Sequence, residues 1–198
     1  IRATDLRVKR YEDRSDRLVI FAVDASGSSA ISRLAEAKGA IELLLGDAYA
    51  RRDHVALVAF RGTSAEILLP PTRSLVQTKR RLAELPGGGG TPLAFGVEAA
   101  LELALGAQRR GMAPAVCILT DGRANIDKTG NANRIQAMAD AESMGQLFVS
   151  CGVDSLIIDT GVRPERKLKD LADVMRAPYI PMPRADAKRL SQTIEAAV

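Results

Sequence analysis

The chain has no tryptophan, one histidine and two cysteines, and only 4% of its residues are aromatic. No apolar run approaches the ~20 residues that cross a bilayer, and no signal-peptide pattern opens the chain, so we expect no membrane span. The scarcity of aromatic residues and the lack of a recognisable nucleic-acid-binding module predict that nucleic acid is not a partner. Because Cys117 and Cys151 lie in apolar surroundings, we expect reduced core thiols and a cytoplasmic location.

What the chain does contain is typical of one globular domain. Of its 198 residues, 46% are apolar and 26% are charged, which is enough for a full core. It begins with Ile1 and not with Met, which predicts a piece of a longer protein or a processed one. Residues 1–16 are charged and aperiodic, and we interpret them as a lead-in to a domain over residues 17–198. The net charge of +4 fits either a solvated surface or a docking face for an acidic partner.

Apolar runs alternate with helical periodicity along the chain. Strands are predicted near residues 17–24, 54–60, 66–69, 113–120, 155–158 and 179–182, and helices near residues 30–50, 74–84, 92–106, 131–150, 164–176 and 185–198. A hairpin turn is predicted at residues 61–64, and Pro70-Pro71 is expected to end the strand that follows it. Most strands are apolar throughout, so the predicted fold class is α/β. It is a doubly wound, mainly parallel central sheet with one antiparallel edge strand and helices on both faces.

Three loops rich in oxygen-bearing side chains are expected at one edge of this sheet. In open α/β sheets, ligands bind outside the carboxyl ends of the strands, where the chain direction switches. The loops are residues 24–28, the glycine run 87–90 with the threonine after it, and residues 120–122. Together they offer five candidate metal ligands: Asp24, Ser26, Ser28, Thr91 and Asp121.

The chemistry of these five residues predicts a magnesium site. Hydroxyls and carboxylates are hard oxygen donors, which magnesium prefers. Three neutral hydroxyls leave the ion electrophilic, and two carboxylates balance its charge without filling its shell. The position left open would suit a carboxylate from a partner protein.

Other interpretations explain the same residues less completely. The loop from Gly87 to Thr91 could hold a phosphate, but it lacks the Gly-Lys-Ser/Thr ending of a P-loop. A nucleophilic serine would need a histidine, and the only one, His54, begins a different strand. We interpret His54 as structural and predict no catalytic residue. Ordinary turn and cap chemistry explains each loop separately but not their convergence on one edge.

The sequence Asp24-Ala25-Ser26-Gly27-Ser28, followed by the distant Thr91 and Asp121, resembles the metal ion-dependent adhesion site of von Willebrand factor A domains, also called integrin I-type domains. The resemblance implies that Ser26, Ser28 and Thr91 coordinate magnesium. It also implies that Asp24 and Asp121 bind the ion directly or through water.

Within that class the chain is most similar to the C-terminal domain of the magnesium chelatase D-subunit family. The resemblance lies in residues 1–9, 60–74, 88–94, 119–125 and 157–160. It implies a subunit of an ATP-dependent ligase that inserts magnesium into protoporphyrin IX in chlorophyll and bacteriochlorophyll biosynthesis. The implied partners are an AAA+ ATPase subunit, which would use the ATP, and a porphyrin-binding subunit. The complex would be a hetero-oligomer in the bacterial cytoplasm or the chloroplast stroma.

On this resemblance we expect a docking and coupling domain that is not itself catalytic. Its resident magnesium would bridge to an acidic side chain of a partner and would be distinct from the ion inserted into porphyrin. The alternatives are an adhesion or scaffolding von Willebrand A domain and a cobalt chelatase subunit. A metal-dependent hydrolase is a further class, but no base is placed for it.

Overall fold

The structure is a computed structural model that describes residues 16–26, 45–46, 48–84 and 87–181. The lead-in up to residue 15, most of the predicted helix at 30–50 and the predicted closing helix at 185–198 lie outside the described residues. Residues 45–46 and 48–50 are helical, as predicted for the end of the first of these helices.

In the described part of the chain, six strands form one sheet in the order β3-β2-β1-β4-β5-β6. They are β1 Arg17–Asp24, β2 His54–Arg61, β3 Ser64–Thr72, β4 Ala113–Thr120, β5 Asp154–Asp159 and β6 Tyr179–Pro181. Every neighbouring pair is parallel except β2 with β3, which is antiparallel and lies at one edge. The predicted fold class is therefore confirmed.

β3 is longer than the sequence predicts, and the expectation that Pro70-Pro71 ends it is wrong. Proline lacks a backbone N–H and would break a central strand. β3 has a hydrogen-bonded neighbour on one side only, so this edge position tolerates both prolines. The register also shifts opposite this stretch, between Val55 and Leu57 and again between Leu57 and Val58 of β2.

Four further helices surround the sheet. They are α1 Leu75–Ala83, α2 Leu93–Gln108, α3 Arg134–Ser150 and α4 Arg166–Val174. The side chain of Ser74 accepts a hydrogen bond from the N–H of Gln77 at the start of α1. Asn133 does the same for Gln136 at the start of α3. These caps satisfy N–H groups that have no partner inside the helix.

Each face of the sheet carries its own buried core, because successive side chains of a strand point to opposite faces. Leu18 and Ile20 of β1 belong to the cluster that includes α2, α3 and α4. Val19 and Phe21 belong to the other cluster, which includes Leu82 of α1 and the helical residues 45 and 48. Helices on both faces were predicted and are observed. None of the helices in the described ranges is long and apolar enough to cross a membrane.

The packing of α2 on the sheet sets the position of the loop before it. The predicted buried stripe of this helix is confirmed and consists of Leu93, Val97, Ala100, Leu101 and Ala104. Gly96 faces the ring of Phe60 in β2, and a Cβ at this position would lie only 2.2 Å from a ring carbon. Glycine therefore lets α2 approach β2 closely. This packing also holds Thr91, two residues before α2 begins, near the carboxyl end of β1.

Candidate metal centre

The register of the sheet brings the predicted loops to one edge. Asp24 at the end of β1 pairs with Phe60 of β2, and the pairing of β1 with β4 reaches Val23 opposite Leu119. Thr120, the next residue of β4, pairs with Asp159 of β5. The loops after β1, β4 and β5 therefore leave the sheet side by side. β1 lies between β2 and β4, where the direction of winding switches.

The carboxylate of Asp24 is fixed from two sides. One oxygen accepts a hydrogen bond from the N–H of Ser26 at 2.9 Å. The other accepts from the hydroxyl of Thr120 at 2.7 Å. Thr120 is fully buried, and its oxygen accepts in turn from the N–H of Gly122 at 3.1 Å. The network thus joins the loops after β1 and β4.

The hydroxyl oxygens of Ser26 and Thr91 lie 2.6 Å apart, although 65 residues separate them in the sequence. Thr91 is held in place by the loop after β4. Its N–H donates to the side-chain oxygen of Asn125 at 2.7 Å, and its carbonyl accepts from the N–H of Asn125 at 3.2 Å. Because Thr91 is only 4% exposed, it has little freedom to move. Its hydroxyl is therefore presented to Ser26 by a rigid support.

The glycine run before Thr91 is packed closely between two other loops. The N–H of Gly88 donates to the carbonyl of Ala25 at 3.1 Å. A Cβ on Gly90 would lie 2.5 Å from Ile126 and 2.9 Å from the carbonyl oxygen of Gly62. Glycine at these positions therefore allows the three loops to approach one another closely.

Asp121 follows β4 directly, and its side chain is 19% exposed. It accepts from the N–H of Arg123 at 3.1 Å, and the Arg123 guanidinium lies 3.8 Å from its other oxygen. The loop after β5 packs beside Asp121, as a Cβ placed on Gly161 shows: it would lie 3.8 Å from the Cβ of Asp121. This carboxylate is accessible from outside the domain.

The loop after β5 is organised around Asp159, a fully buried carboxylate. It accepts hydrogen bonds from the N–H of Gly161 at 2.7 Å, the N–H of Glu165 at 2.8 Å and the hydroxyl of Tyr179. Burial, with the bond to Asp159 as a second cause, raises the pKa of the Tyr179 phenol above its usual range. Tyr179 therefore donates to Asp159 throughout the physiological range. The network ties β5, β6 and the start of α4 together next to Asp121.

The pKa of Asp24 is unusual for an aspartate at the end of a strand. Burial raises the pKa of its carboxyl to about 6, with the negative charge of Asp121 acting in the same direction. The hydrogen bonds from Ser26 and Thr120 offset only part of this rise. Ionising Asp24 therefore costs more free energy in the metal-free domain than in water, and a bound cation would remove this cost.

The donor set fits a magnesium ion. Adjacent oxygens in an octahedral magnesium shell lie about 3 Å apart, and the hydroxyls of Ser26 and Thr91 need only a small separation to reach that spacing. Among the described residues, no group of three or more His, Cys, Asp or Glu side chains is placed to hold a metal. A metal here would therefore be held by hydroxyls, water and the carboxylates of Asp24 and Asp121.

Four of the five predicted ligands lie at this edge: Asp24, Ser26, Thr91 and Asp121. Ser28 lies outside the described residues. His54 begins β2 opposite Leu18, at the other end of the sheet. From Leu18 to Asp24 the strand advances six residues, a distance of about 20 Å at ~3.3 Å per residue. No Ser-His-Asp arrangement forms with Ser26.

Sequence reasoning missed two residues that support the site. Thr120 and Asn125 hold Asp24 and Thr91 through hydrogen bonds to residues far away in the sequence. Thr120 carried one signal, because it is a polar residue at the end of an otherwise apolar strand. Asn125 carried none, since an asparagine in a loop is ordinary turn chemistry.

This fold, with paired hydroxyls and carboxylates at the carboxyl edge of β1 and β4, defines a class of protein. The sequence model described as "von Willebrand factor type A domain" matches residues 19–123, and the chain belongs to that family.

Both cysteines are free, as predicted, with Cys117 buried and Cys151 half-buried.

More particular relatives confirm the narrower resemblance. The magnesium-chelatase 60 kDa subunit of Cereibacter sphaeroides is 60% identical over 198 residues, covering 100% of this chain and 36% of the relative. The subunit of the same name from Rhodobacter capsulatus is 53% identical, covering 100% of this chain and 35% of the relative. The chain spans about a third of the length of these relatives.

Solved structures support the fold independently. The von Willebrand domain of the type V pili tip protein Mfa5 from Porphyromonas gingivalis superposes with a TM-score of 0.70, covering 92% of this chain and 96% of that one. The two sequences are 13% identical, so this likeness concerns the fold alone.

Proposed function

We propose that the chain is a magnesium-dependent docking and coupling domain of a magnesium chelatase D-type subunit. The observation that carries the proposal is the 2.6 Å approach of the Ser26 and Thr91 hydroxyls beside the carboxylate of Asp24. The 60% identity to a magnesium-chelatase subunit supports the choice of enzyme.

The residues that would hold the ion are Ser26, Thr91, Asp24 and Asp121, with Ser28 as a fifth. When bound, magnesium would supply a Lewis-acidic position for a carboxylate oxygen of a partner protein. The protein's part is preorganisation. Thr120 orients Asp24, and Asn125 holds the backbone of Thr91 on both sides, so little movement is needed on binding.

In the whole enzyme, the subunit would work with an AAA+ ATPase subunit and a porphyrin-binding subunit to insert magnesium into protoporphyrin IX. The AAA+ partner would hydrolyse ATP. This domain would hold the assembly together or transmit the state of the ATPase ring, and it would not contact the magnesium being inserted. We place this hetero-oligomer in the cytoplasm of a bacterium, or in the chloroplast stroma of a plant or alga.

The test uses the full-length subunit together with its ATPase and porphyrin-binding partners. Asp121→Ala should abolish magnesium-dependent pull-down of the partners and chelatase activity, while circular dichroism shows an unchanged fold. Asp154→Ala is the matched control, because Asp154 is exposed at the opposite end of β5. Full activity with both Asp24 and Asp121 changed to alanine would refute the proposal.

The same assay separates the other candidate functions. An adhesion or scaffolding domain would not bind the chelatase subunits, and a cobalt chelatase subunit would support insertion of cobalt in place of magnesium. Hydrolysis of phosphoesters or peptides by the purified subunit would favour a metal-dependent hydrolase.

A further inference from the structure

Three exposed arginines lie at the metal edge, at or after the ends of three different strands: Arg61, Arg123 and Arg163. We call them the arginine rim. Arg61 ends β2, next to the residue that pairs with Asp24. Arg123 is two residues after Asp121 and lies 3.8 Å from its carboxylate. Arg163 belongs to the loop after β5, which packs beside Asp121. The rim residues therefore lie beside the candidate site, at the ends of β2, β4 and β5.

Backbone contacts beside Arg61 and within the loop of Arg163 show how closely the chain packs at this edge. The carbonyl oxygen of Gly62, beside Arg61, lies 2.9 Å from the position of a Cβ on Gly90, one residue before Thr91. The carbonyl oxygen of Arg163 lies 3.1 Å from the corresponding position on Gly161. These contacts constrain the backbone next to Arg61 and at Arg163, whereas Arg123 is placed by the 3.8 Å approach of its guanidinium to Asp121.

In the described loops after β1, β4 and β5, the acidic groups are withdrawn from solvent, in contrast to Arg123 and Arg163. Asp159 is fully buried and Asp127 is 5% exposed. Asp24 and Asp121 are the proposed metal ligands, and Glu165 is half-buried. In the described loops after β1, β4 and β5, the strongly exposed charges are thus those of Arg123 and Arg163. The exposed acids nearest this edge are Glu66 of β3 and Glu84 after α1, and Glu84 is paired with Arg80 and Arg81. A bound dication would add to the positive charge of Arg123 and Arg163.

An apolar side chain stands among these charges. Val162, next to Arg163, is 74% exposed, which is high for a large hydrophobic residue. Isolated exposed apolar residues are common, but one beside an open metal position offers a contact to an incoming segment. Proteins that bind single-stranded nucleic acid stack its bases on exposed aromatic side chains. No aromatic residue is exposed in the described loops of this edge, which argues against nucleic acid as the partner.

We infer that the arginine rim selects a protein segment in which the metal-binding carboxylate is flanked by further acidic residues. This inference rests on the proposed function and adds a specificity to it. A single carboxylate would satisfy the metal, whereas the rim favours partners that bring several negative charges and repels basic ones. Arg61, Arg123 and Arg163 are positioning and specificity residues, not metal ligands.

The test reverses two rim charges in the full-length subunit, Arg61→Glu with Arg163→Glu. Arg123 is left unchanged because it lies against Asp121, and altering it would disturb a proposed ligand. Arg109→Glu with Arg110→Glu is the matched control, since both arginines are exposed at the far end of α2 and the change in net charge is the same.

The measured quantity is the dissociation constant for the AAA+ partner subunit with magnesium present. Reversal of the two rim charges should weaken binding about tenfold at low salt, while the control pair changes it by less than about twofold. The difference should shrink at about 0.5 M salt because exposed charges are then screened. Magnesium-induced thermal stabilisation of the rim variant should match that of the wild type, which shows that the metal site is intact.

A second measurement identifies the chemistry of the partner segment. A short peptide with one glutamate flanked by aspartate and glutamate should compete with the partner subunit. The same peptide with asparagine and glutamine at the flanks should compete at least about fivefold less well, and the rim variant should lose that preference. Equal competition by the two peptides, or by single-stranded DNA, would overturn the inference.

The outcomes separate the two proposals. Loss of binding in Asp121→Ala together with unchanged binding in the rim variant would refute the rim and leave the docking function standing. Unchanged binding in Asp121→Ala would refute the docking function itself.

Discussion

The change Asp24→Asn tests the electrostatic account of the site most directly. Burial raises the pKa of Asp24 from 3.8 to about 6, so ionising it costs more in the folded domain than in the unfolded chain. A difference of about two pKa units at about 1.4 kcal/mol each amounts to about 3 kcal/mol. At neutral pH the metal-free wild type carries this penalty, and a neutral asparagine does not.

The asparagine has its own cost, which the hydrogen bonds define. Its side-chain oxygen can still accept from the N–H of Ser26. Its amide nitrogen cannot accept from the hydroxyl of Thr120, which donates to the second Asp24 oxygen at 2.7 Å in the wild type. Loss of that bond costs about 1 kcal/mol. Asp24→Asn should therefore stabilise the metal-free domain by about 1–2 kcal/mol at about pH 7.5.

The pH dependence follows from the direction of the pKa shift. Because the folded pKa lies above the unfolded one, the folded state binds more protons between about pH 4 and pH 6. Protonated Asp24 thus contributes stability that is fully present below its unfolded pKa and is lost as the pH rises through about 6. The advantage of the variant should accordingly vanish in acid, where it becomes about 1 kcal/mol less stable than the wild type.

Magnesium should invert the order of stability. Binding to the folded state stabilises the wild type by about 2.7 kcal/mol at a hundredfold excess over the dissociation constant, and the variant should gain little. The assay is urea unfolding followed by far-ultraviolet circular dichroism, with and without magnesium, and with the exposed Asp154→Asn as control. A variant less stable than the wild type at neutral pH without metal, or equal magnesium stabilisation of both proteins, would refute the reasoning.

Other predictions concern close packing and the buried thiol. Gly96→Ala should lower the free energy of unfolding by about 1–3 kcal/mol, measured by urea unfolding, because the new methyl would meet the ring of Phe60; unchanged stability would contradict the close approach of α2. Gly90→Ala should weaken magnesium binding, measured by calorimetry, because relief of its clash would displace Thr91; wild-type affinity would show that the loop adapts freely. Cys117 should resist alkylation in the folded state, since burial raises its thiol pKa above the usual range, whereas the half-buried Cys151 should react faster. Peptide mass spectrometry would detect equal rates, which would contradict this account.

The pattern of the sequence predicted the architecture well, because strands with both faces buried are apolar throughout. β1 and β4 are such strands, and their ends at Asp24 and Thr120 coincide with the predicted ends. β3 was predicted too short, because the sequence does not reveal that a strand lies at an edge, where prolines are tolerated.

The candidate ligands could be predicted because strand ends of a parallel sheet meet at one edge whatever the details of packing. Their supports could not. The hydrogen bond from Thr120 to Asp24 spans 96 residues, and that from Thr91 to Asn125 spans 34. Such contacts depend on the register of β1 against β4 and on the depth of α2 over β2, and neither leaves a local pattern.

The sequence by itself determined the order of strands and helices, the edge at which Asp24, Ser26, Thr91 and Asp121 gather, and the oxygen chemistry they offer. These follow from local periodicity and from residue type. Only the tertiary structure decided that two hydroxyls from distant loops approach within 2.6 Å, that burial raises the pKa of the Asp24 carboxyl to about 6, and that exposed arginines lie beside the site. Distances, desolvation and exposure arise from how the whole chain packs, so no segment of the sequence specifies them alone.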